Sequence, residues 1–276
     1  MAARGDAATK LLVVGRNSFL AGHFLSLVEA GAVWAVAHDA IDYPDLLDGV
    51  GRVVSFARHP LLGRDGYRPD EMDPDLRLAR ALGDRPIAYV MLSSRKVYGP
   101  GAGPLSEDSP PGPTDAYGRH KLQAEERLRA LLGERLTILR LANVFGYERI
   151  AGRRTFLSIA LDRLRREGRI VLDMSPFVQR DFLPVAACAR ILARILARPP
   201  GGTLNIGSGI GLPTGKLALW TIEGYGLGEL VVESPLEKDP FVLDIGRLQA
   251  LYGAPTSREE IRESCIAIGR RLAREA

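Results

Sequence analysis

Three side chains between positions 94 and 121 have the types and spacing for carbonyl chemistry. In "VMLSSRKVYG" (90–99) an apolar run ends in Ser93 and Ser94, as a buried strand would at the lip of a site. In "DAYGRHK" (115–121) Tyr117 and Lys121 stand four apart, which places them as neighbours on one helix face. An ammonium beside a phenol favours the phenolate and draws a tyrosine down from its usual value of about 10. Such a phenol can give a proton to a substrate oxygen or take one from it. A serine hydroxyl at the tip of an adjacent strand can hydrogen-bond the same oxygen as charge develops on it. Combined with a nicotinamide dinucleotide, Ser94, Tyr117 and Lys121 make a hydride-transfer site for a carbonyl or an alcohol. Any one of them alone is as readily a solvated or packed polar group; the ordered set is what points to chemistry.

A nucleotide must then be held nearby, and "VVGRNSFLAGHF" (13–24) is the candidate device. Gly15 ends an apolar run and leads straight into a helical pattern, so the turn offers backbone N–H groups at the positive end of a helix. The glycine fingerprint of dinucleotide sites has Ser18 and Ala21 at its second and third positions. Gly15, Arg16, Asn17, Ser18, Phe19 and Leu20 are therefore the candidate phosphate-side residues. Asp39, near the end of the second apolar run, suits the ribose hydroxyls of NAD, whereas Arg16 suits the 2′-phosphate of NADP. Phe56, Ala57 and Arg58, ending the third run, and Ser93, ending the fourth, complete the expected cofactor contacts.

The elements that would position these groups alternate. Apolar runs at 11–14, 33–37, 52–57, 87–92 and 137–141 read as strands, and 18–30, 73–82 and 117–132 as helices. That order predicts an α/β fold, a Rossmann-like doubly wound parallel sheet. The second and third runs follow so closely that the usual crossover helix between them is short or absent. Beyond 146 the expected elements are a helix at 156–166, a short strand in "RIVLD", a helix at 185–197, a strand in "GGTLNIGSG" and short helices over 237–276. The expected partition is a dinucleotide-binding domain of residues 1–146 plus about 180–209, with a small C-terminal substrate-binding lobe of 147–179 and 210–276.

Composition narrows the function classes. The 276 residues are 46% hydrophobic and 25% charged, as in a soluble globular protein. No apolar run approaches the roughly 18 residues that span a bilayer, and the N-terminal "MAARGDAATK" lacks the apolar core of a signal peptide. A cytoplasmic location, no membrane partner and free cysteines at 188 and 265 are expected. The four histidines show no metal-ligand spacing. The net charge of +4 is spread among acidic residues without a basic tract, which disfavours nucleic acid and suits a small anionic ligand. "GLPTGKLA" (211–218) fails as a phosphate loop, because Leu217 stands where Ser or Thr would hold magnesium.

Taken together, "RVVSFARHP", "MLSSRKVYG", "DAYGRHKLQAEERL", "LRLANVFG", "QRDFLPV", "TLNIGSG" and "VLDIGRL" resemble, in order, the extended short-chain dehydrogenase/reductase family of NAD(P)-dependent nucleotide-sugar epimerases, dehydratases and reductases. The resemblance implies NADP or NAD as cofactor, a nucleotide-sugar substrate and a homodimer. It makes Ser94, Tyr117 and Lys121 catalytic, sets Asn143 in the sugar-nucleotide site and Arg180 near the nucleotide diphosphate. In the family's dehydratases an Asp–Glu pair follows the catalytic hydroxyl residue and supplies acid and base. Here Arg95 and Lys96 stand there, and a guanidinium is no proton shuttle at neutral pH. In another branch a Cys in that position serves epimerisation, and Arg95 replaces it. Reduction of a nucleotide-linked 4-keto-(6-deoxy)sugar, with NADPH slightly preferred, is the expected reaction; a 4-epimerase with retained NAD, or a non-catalytic dinucleotide sensor or scaffold, are the alternatives. Arg95 and Lys96 either touch charged groups of the substrate or face solvent.

Overall fold

The computed structural model describes residues 10–29, 31–42, 45–99, 103–148 and 156–275. The chain divides into two compact units, Met1–Gly99 with Ser109–Leu141 and Ala189–Leu204, and Pro100–Asp108 with Ala142–Cys188 and Asn205–Ala276.

In the first unit β1 (Lys10–Val14), α1 (Phe19–Leu25), β2 (Val33–Val36) and β3 (Val50–Ser55) come first. They are followed by α2 (Pro69–Met72), α3 (Pro74–Leu82), β4 (Ala88–Ser94), α4 (Ala116–Leu132) and β5 (Leu136–Leu141). The sheet runs β2-β1-β3-β4-β5 and is completed by β9 (Gly202–Ile206). The pairs β1–β2, β1–β3, β3–β4 and β4–β5 are all parallel. Strand order reverses at β1, so the crevice outside the carboxyl ends of β1 and β3 is where a doubly wound sheet takes ligands. Among the described residues between β2 and β3 the one helical element is a 3₁₀ turn, His38–Asp42, in keeping with the short spacing. Leu12, Val53, Tyr89 and Met91 of the strands meet Leu76, Leu78 and Leu82 of α3 and Ala124 and Leu128 of α4 in one core.

In the second unit β6 (Asn143–Phe145), α5 (Phe156–Glu167), β7 (Arg169–Leu172) and β8 (Gln179–Pro184) lead into α6 (Val185–Ala197), which continues into the first. After β9 come β10 (Gly211–Pro213), α7 (Thr214–Tyr225), β11 (Glu229–Val232), α8 (Gly246–Tyr252) and α9 (Arg258–Arg274). Segments 142–146, 180–188 and 205–209, which the sequence suggested for the nucleotide-binding domain, cluster here instead. The reason is pairing: β6 and β10 flank β8 in a three-stranded sheet of their own. The buried carboxylate of Asp181 in β8 also gathers the loop after β9, accepting from Ser208 N at 2.7 Å, Ser208 Oγ at 2.7 Å and Gly209 N at 3.0 Å. The C-terminal end holds one 17-residue helix, α9, rather than only short ones.

Helix α4 is set into the first unit with little freedom. It starts where Asp115 Oδ1 accepts from Gly118 N at 2.7 Å, the ordinary capping exchange. Gly118 has no room for a side chain, since a Cβ there would lie 2.2 Å from the carbonyl oxygen of Lys96. The lip after β4 thus rests directly on the first turn of α4. One turn beyond Lys121, Glu125 is fully buried and accepts from Arg140 Nε (3.1 Å) and NH2 (2.7 Å), from Ser93 Oγ (2.6 Å) and from Arg129 NH2 (3.0 Å). Arg140 also lies over the Tyr98 ring, 4.6 Å from its centroid. A buried bidentate pair of this kind offsets its desolvation only while both partners are present.

Two stability effects follow. Glu125→Gln leaves the Arg140 guanidinium uncompensated and is expected to cost about 3–5 kcal/mol, read as a lower urea midpoint with the slope unchanged. Gly118→Ala forces the Lys96 carbonyl away and is expected to cost about 1–3 kcal/mol, whereas Gly103→Ala, which meets open space, should leave the midpoint where it is.

Candidate active site

The two chemistry-bearing segments lie side by side. Leu92 and Lys96, flanking Ser94, contact Lys121 and Gly118, which flank Tyr117. Ser94 ends β4, and its Oγ accepts from Lys96 N at 3.2 Å, closing the one-turn 3₁₀ segment Arg95–Val97. That contact uses a lone pair and leaves the hydroxyl proton to be donated elsewhere. Tyr117 is partly exposed in the first turn of α4, and its ring system is near enough to act electrostatically on Lys121.

Lys121 is almost completely buried. Its Nζ donates to the Leu92 carbonyl at 3.0 Å and lies 3.8 Å from Asp75 Oδ2. Burial works against the charged amine, but the carboxylate of Asp75, then Tyr117, Asp73 and Glu125, outweigh it and hold Lys121 above the ordinary lysine value. An ammonium has three donors, so these two contacts leave capacity for a further acceptor. Asp75 occupies the second position of α3, behind the Asp73 cap, and accepts from the Tyr89 hydroxyl at 2.7 Å.

Neither cation after Ser94 is a free charge facing solvent. Arg95 is buried, at 7% exposure. Lys96 Nζ pairs with Asp115 Oδ2 at 3.2 Å, so it braces the residue that caps the tyrosine-bearing helix. Ser93 gives its hydroxyl to Glu125, 2.6 Å away, and turns into the core rather than toward the lip.

On the nucleotide side, Gly15 takes φ +86°, and a Cβ there would lie 2.7 Å from Ala57 N and 2.9 Å from the Phe56 carbonyl carbon. The ends of β1 and β3 therefore meet backbone to backbone, with Phe56 and Ala57 buried. Gly15 N and Arg16 N both donate to Val36 O, at 2.9 and 3.0 Å, and Ser18 N donates to Gly15 O at 3.0 Å. Ser18 is the cap of α1, its Oγ accepting from Ala21 N at 3.2 Å. So three N–H groups of the turn shape the turn itself, and Phe19 and Leu20 open the helix beyond them. Arg16, Asn17, Asp39 and Arg58 are exposed. This donor set fits a dinucleotide: a glycine turn into a helix start at the strand-order reversal, with an acid and two guanidiniums on its rim.

Asn143 and Arg180 belong to the second unit, in β6 and β8. Arg180 donates through Nε to Asp239 O at 3.2 Å and through NH2 to Lys238 O at 2.6 Å. The residues that sequence reasoning passed over are Asp75, Glu125, Arg140 and Asp181. Glu125 carried a legible signal, four residues past Lys121 on the same face. No metal-binding group of His, Cys, Asp and Glu occurs among the described residues, and none of their helices is long and apolar enough to cross a membrane.

Comparison with known proteins agrees with the fold. The chain is similar to the ADP-L-glycero-D-manno-heptose-6-epimerase of Pseudomonas paraeruginosa (strain DSM 24068 / PA7), 29% identical over 199 residues, which is 67% of this chain and 58% of that protein's length. Among solved structures, RMD from Pseudomonas aeruginosa complexed with NADPH superposes with a TM-score of 0.79 at 22% identity, covering 97% of this chain and 100% of the other. A variant of the UDP-glucuronic acid 4-epimerase from Bacillus cereus, in complex with UDP-4-deoxy-4-fluoro-glucuronic acid and NAD, gives 0.81 at 17% identity, over 97% and 100%. At these identities the two structures bear on the fold alone. The profile that matches residues 70–207, half of the chain and the half that carries Ser94, Tyr117 and Lys121, describes one family. By that match the chain belongs to the NAD dependent epimerase/dehydratase family.

Proposed function

We propose that this protein is an NAD(P)H-dependent reductase of a nucleotide-linked 4-keto-(6-deoxy)sugar. The observation that carries the reading is the state of the two residues after Ser94. Elimination of water needs an acid and a base there; the chain offers a buried guanidinium, Arg95, and an ammonium, Lys96, engaged by Asp115. Ketone reduction needs neither.

When bound, the reduced nicotinamide supplies the hydride that adds to C4. Everything else falls to side chains. The Ser94 hydroxyl, oriented by the Lys96 N–H, donates to the ketone oxygen as negative charge grows on it. The Tyr117 phenol delivers the proton to that oxygen. Lys121, kept charged by Asp75, supports the phenolate left behind and offers its remaining donor to a ribose hydroxyl. Gly15 to Leu20, Phe56, Ala57, Arg58 and the backbone at Ser93 would hold the dinucleotide, Asp39 facing its adenosine ribose. Arg16 favours NADPH over NADH, since a guanidinium pairs a 2′-phosphate bidentately. Asn143 and Arg180 would contact the sugar and the diphosphate of the substrate, and the protein works as a homodimer in the cytoplasm.

A 4-epimerase is the second reading, favoured by the 29% identity over 199 residues to a sugar-nucleotide epimerase, one that acts at C6. It would use the same three residues and keep its cofactor, so purified protein would carry NAD at near one per chain.

Incubation with NADPH or NADH and a panel of nucleotide-4-ketosugars, followed at about 340 nm where reduced nicotinamide absorbs, is expected to show consumption of the reduced cofactor. No consumption with any of them, in folded protein, overturns the reductase. Tyr117→Phe should lower kcat by about 10²-fold or more while cofactor affinity stays within threefold. Arg16→Ala should raise KM for NADPH about tenfold, the loss of one charge-assisted contact, and leave KM for NADH unchanged.

A further inference from the structure

We infer that Asp75 is a positioning residue for Lys121, its carboxylate standing behind the ammonium to keep it charged and fixed beside Tyr117. This rests on the reading of Tyr117 and Lys121 as the proton-transfer pair.

The argument is one of allocation. A lysine amine as buried as Lys121 loses its proton unless a negative charge faces it. The polar and charged groups around it come from each packed element. Strand β3 brings the buried Ser55 hydroxyl, which lies beside Asp75 and Tyr89, and β4 brings the Tyr89 hydroxyl and the Leu92 carbonyl. Helix α3 brings Asp73 and Asp75, and α4 brings Tyr117 and Glu125. Of the three carboxylates, Glu125 is saturated by Arg140, Ser93 and Arg129. Asp73 is spent on the start of α3, through Asp75 N at 2.9 Å and Leu76 N at 3.1 Å, and on the Tyr67 hydroxyl at 2.7 Å. Asp75 alone of the three has an oxygen turned to the amine. Its Oδ1 is held by Tyr89, and its Oδ2 lies 3.8 Å from Nζ.

The placement also suits a carboxylate that acts through another group. Asp75 is fully enclosed, so no substrate reaches it. Its position at the amino end of α3 favours a negative charge. Leu92, the other partner of Nζ, lies two residues before Ser94, so an ammonium held by both is fixed relative to the lip as well as to the helix.

The arrangement makes the pair sensitive to acid. Burial pushes Asp75 up to about 6, against the pull of Lys121, with Asp73 adding to the rise and Tyr89 opposing it. The carboxylate is present above that value and is lost as pH falls through it. Its hold on Lys121 is therefore intact at neutral pH and released in mild acid.

The chain has five lysines, so the Cε resonances of ¹³C-lysine-labelled protein can be titrated individually, with Lys121→Arg identifying the one that matters. In Asp75→Asn the Lys121 midpoint is expected to fall by at least one pH unit, and in Asp75→Glu to recover at least half of that loss. An unchanged midpoint in folded Asp75→Asn overturns the inference without touching the reductase reading, because the titration needs no turnover. Conversely, a shifted midpoint with no reduction of any ketosugar overturns the reductase reading and leaves the link between Asp75 and Lys121 standing. Where turnover is present, the acid limb of kcat near pH 6 should disappear in Asp75→Asn, with the plateau lowered about tenfold; a limb that stays in place counts against the inference. If Asp75→Asn fails to fold, Tyr89→Phe removes the donor to Oδ1 and should move the acid limb upward by about half a pH unit or more. No movement there overturns the inference equally.

Discussion

The structure depends on two buried charges of opposite sign, one turn apart on the same face of α4. Lys121 reaches α3 and the Leu92 carbonyl, while Glu125 reaches β4 and β5 through Ser93 and Arg140. A buried ion pair adds little net stability, but removing either member leaves an uncompensated charge in a poorly solvated place. Rotating α4 or sliding it by one residue would break both pairs at once. Apolar contacts alone, such as Ala124 and Leu128 against the sheet, tolerate small slips far better. The position of Tyr117, two residues after the cap, is thereby fixed by electrostatics deeper in the same helix.

The lip after β4 is tied to α4 through a single residue. Of the two cations there, Arg95 is buried and Lys96 pairs with Asp115. Lys96 reinforces the Asp115 cap through its side chain, packs its carbonyl onto Gly118 and offers its N–H to Ser94. One residue thus connects the serine, the glycine and the helix start. Because its Oγ accepts from the Lys96 N–H, the Ser94 hydroxyl proton stays available to another acceptor.

Much of the first unit was legible in the sequence because its signals are local. Strand runs with glycine or serine ends, the four-residue spacing of Tyr117 and Lys121, and the short gap before β3 all report nearest-neighbour physics. Strand ends shifted by a residue or two, as hydrogen bonding decides them. What stayed hidden was long-range. Asp75 precedes Lys121 by 46 positions, and nothing in "MDPDLRLARAL" distinguishes a buried carboxylate from a solvated helix start. Arg140 reads as a charge interrupting a strand until Glu125 is opposite it. In the second unit α7 escaped notice since Leu217, Ala218 and Thr221 are buried while Leu219 is exposed, a weak rhythm that looked like a failed phosphate loop. The pairing of β6 with β8 could not be read at all, because a three-residue strand carries too little pattern.

The turn between β2 and β3 has a further effect. Beyond that turn no helix or strand occurs among the described residues there, β2 stands at one end of the six-strand order, and at four residues it is the shortest of them. An outer strand offers a row of main-chain donors and acceptors to any extended peptide that drifts by, and length is what makes such a row adhesive. By trimming the sheet on this side, the chain keeps that row to little more than one repeat of the ladder. A row that short gives little purchase to edge-to-edge pairing of one molecule with the next.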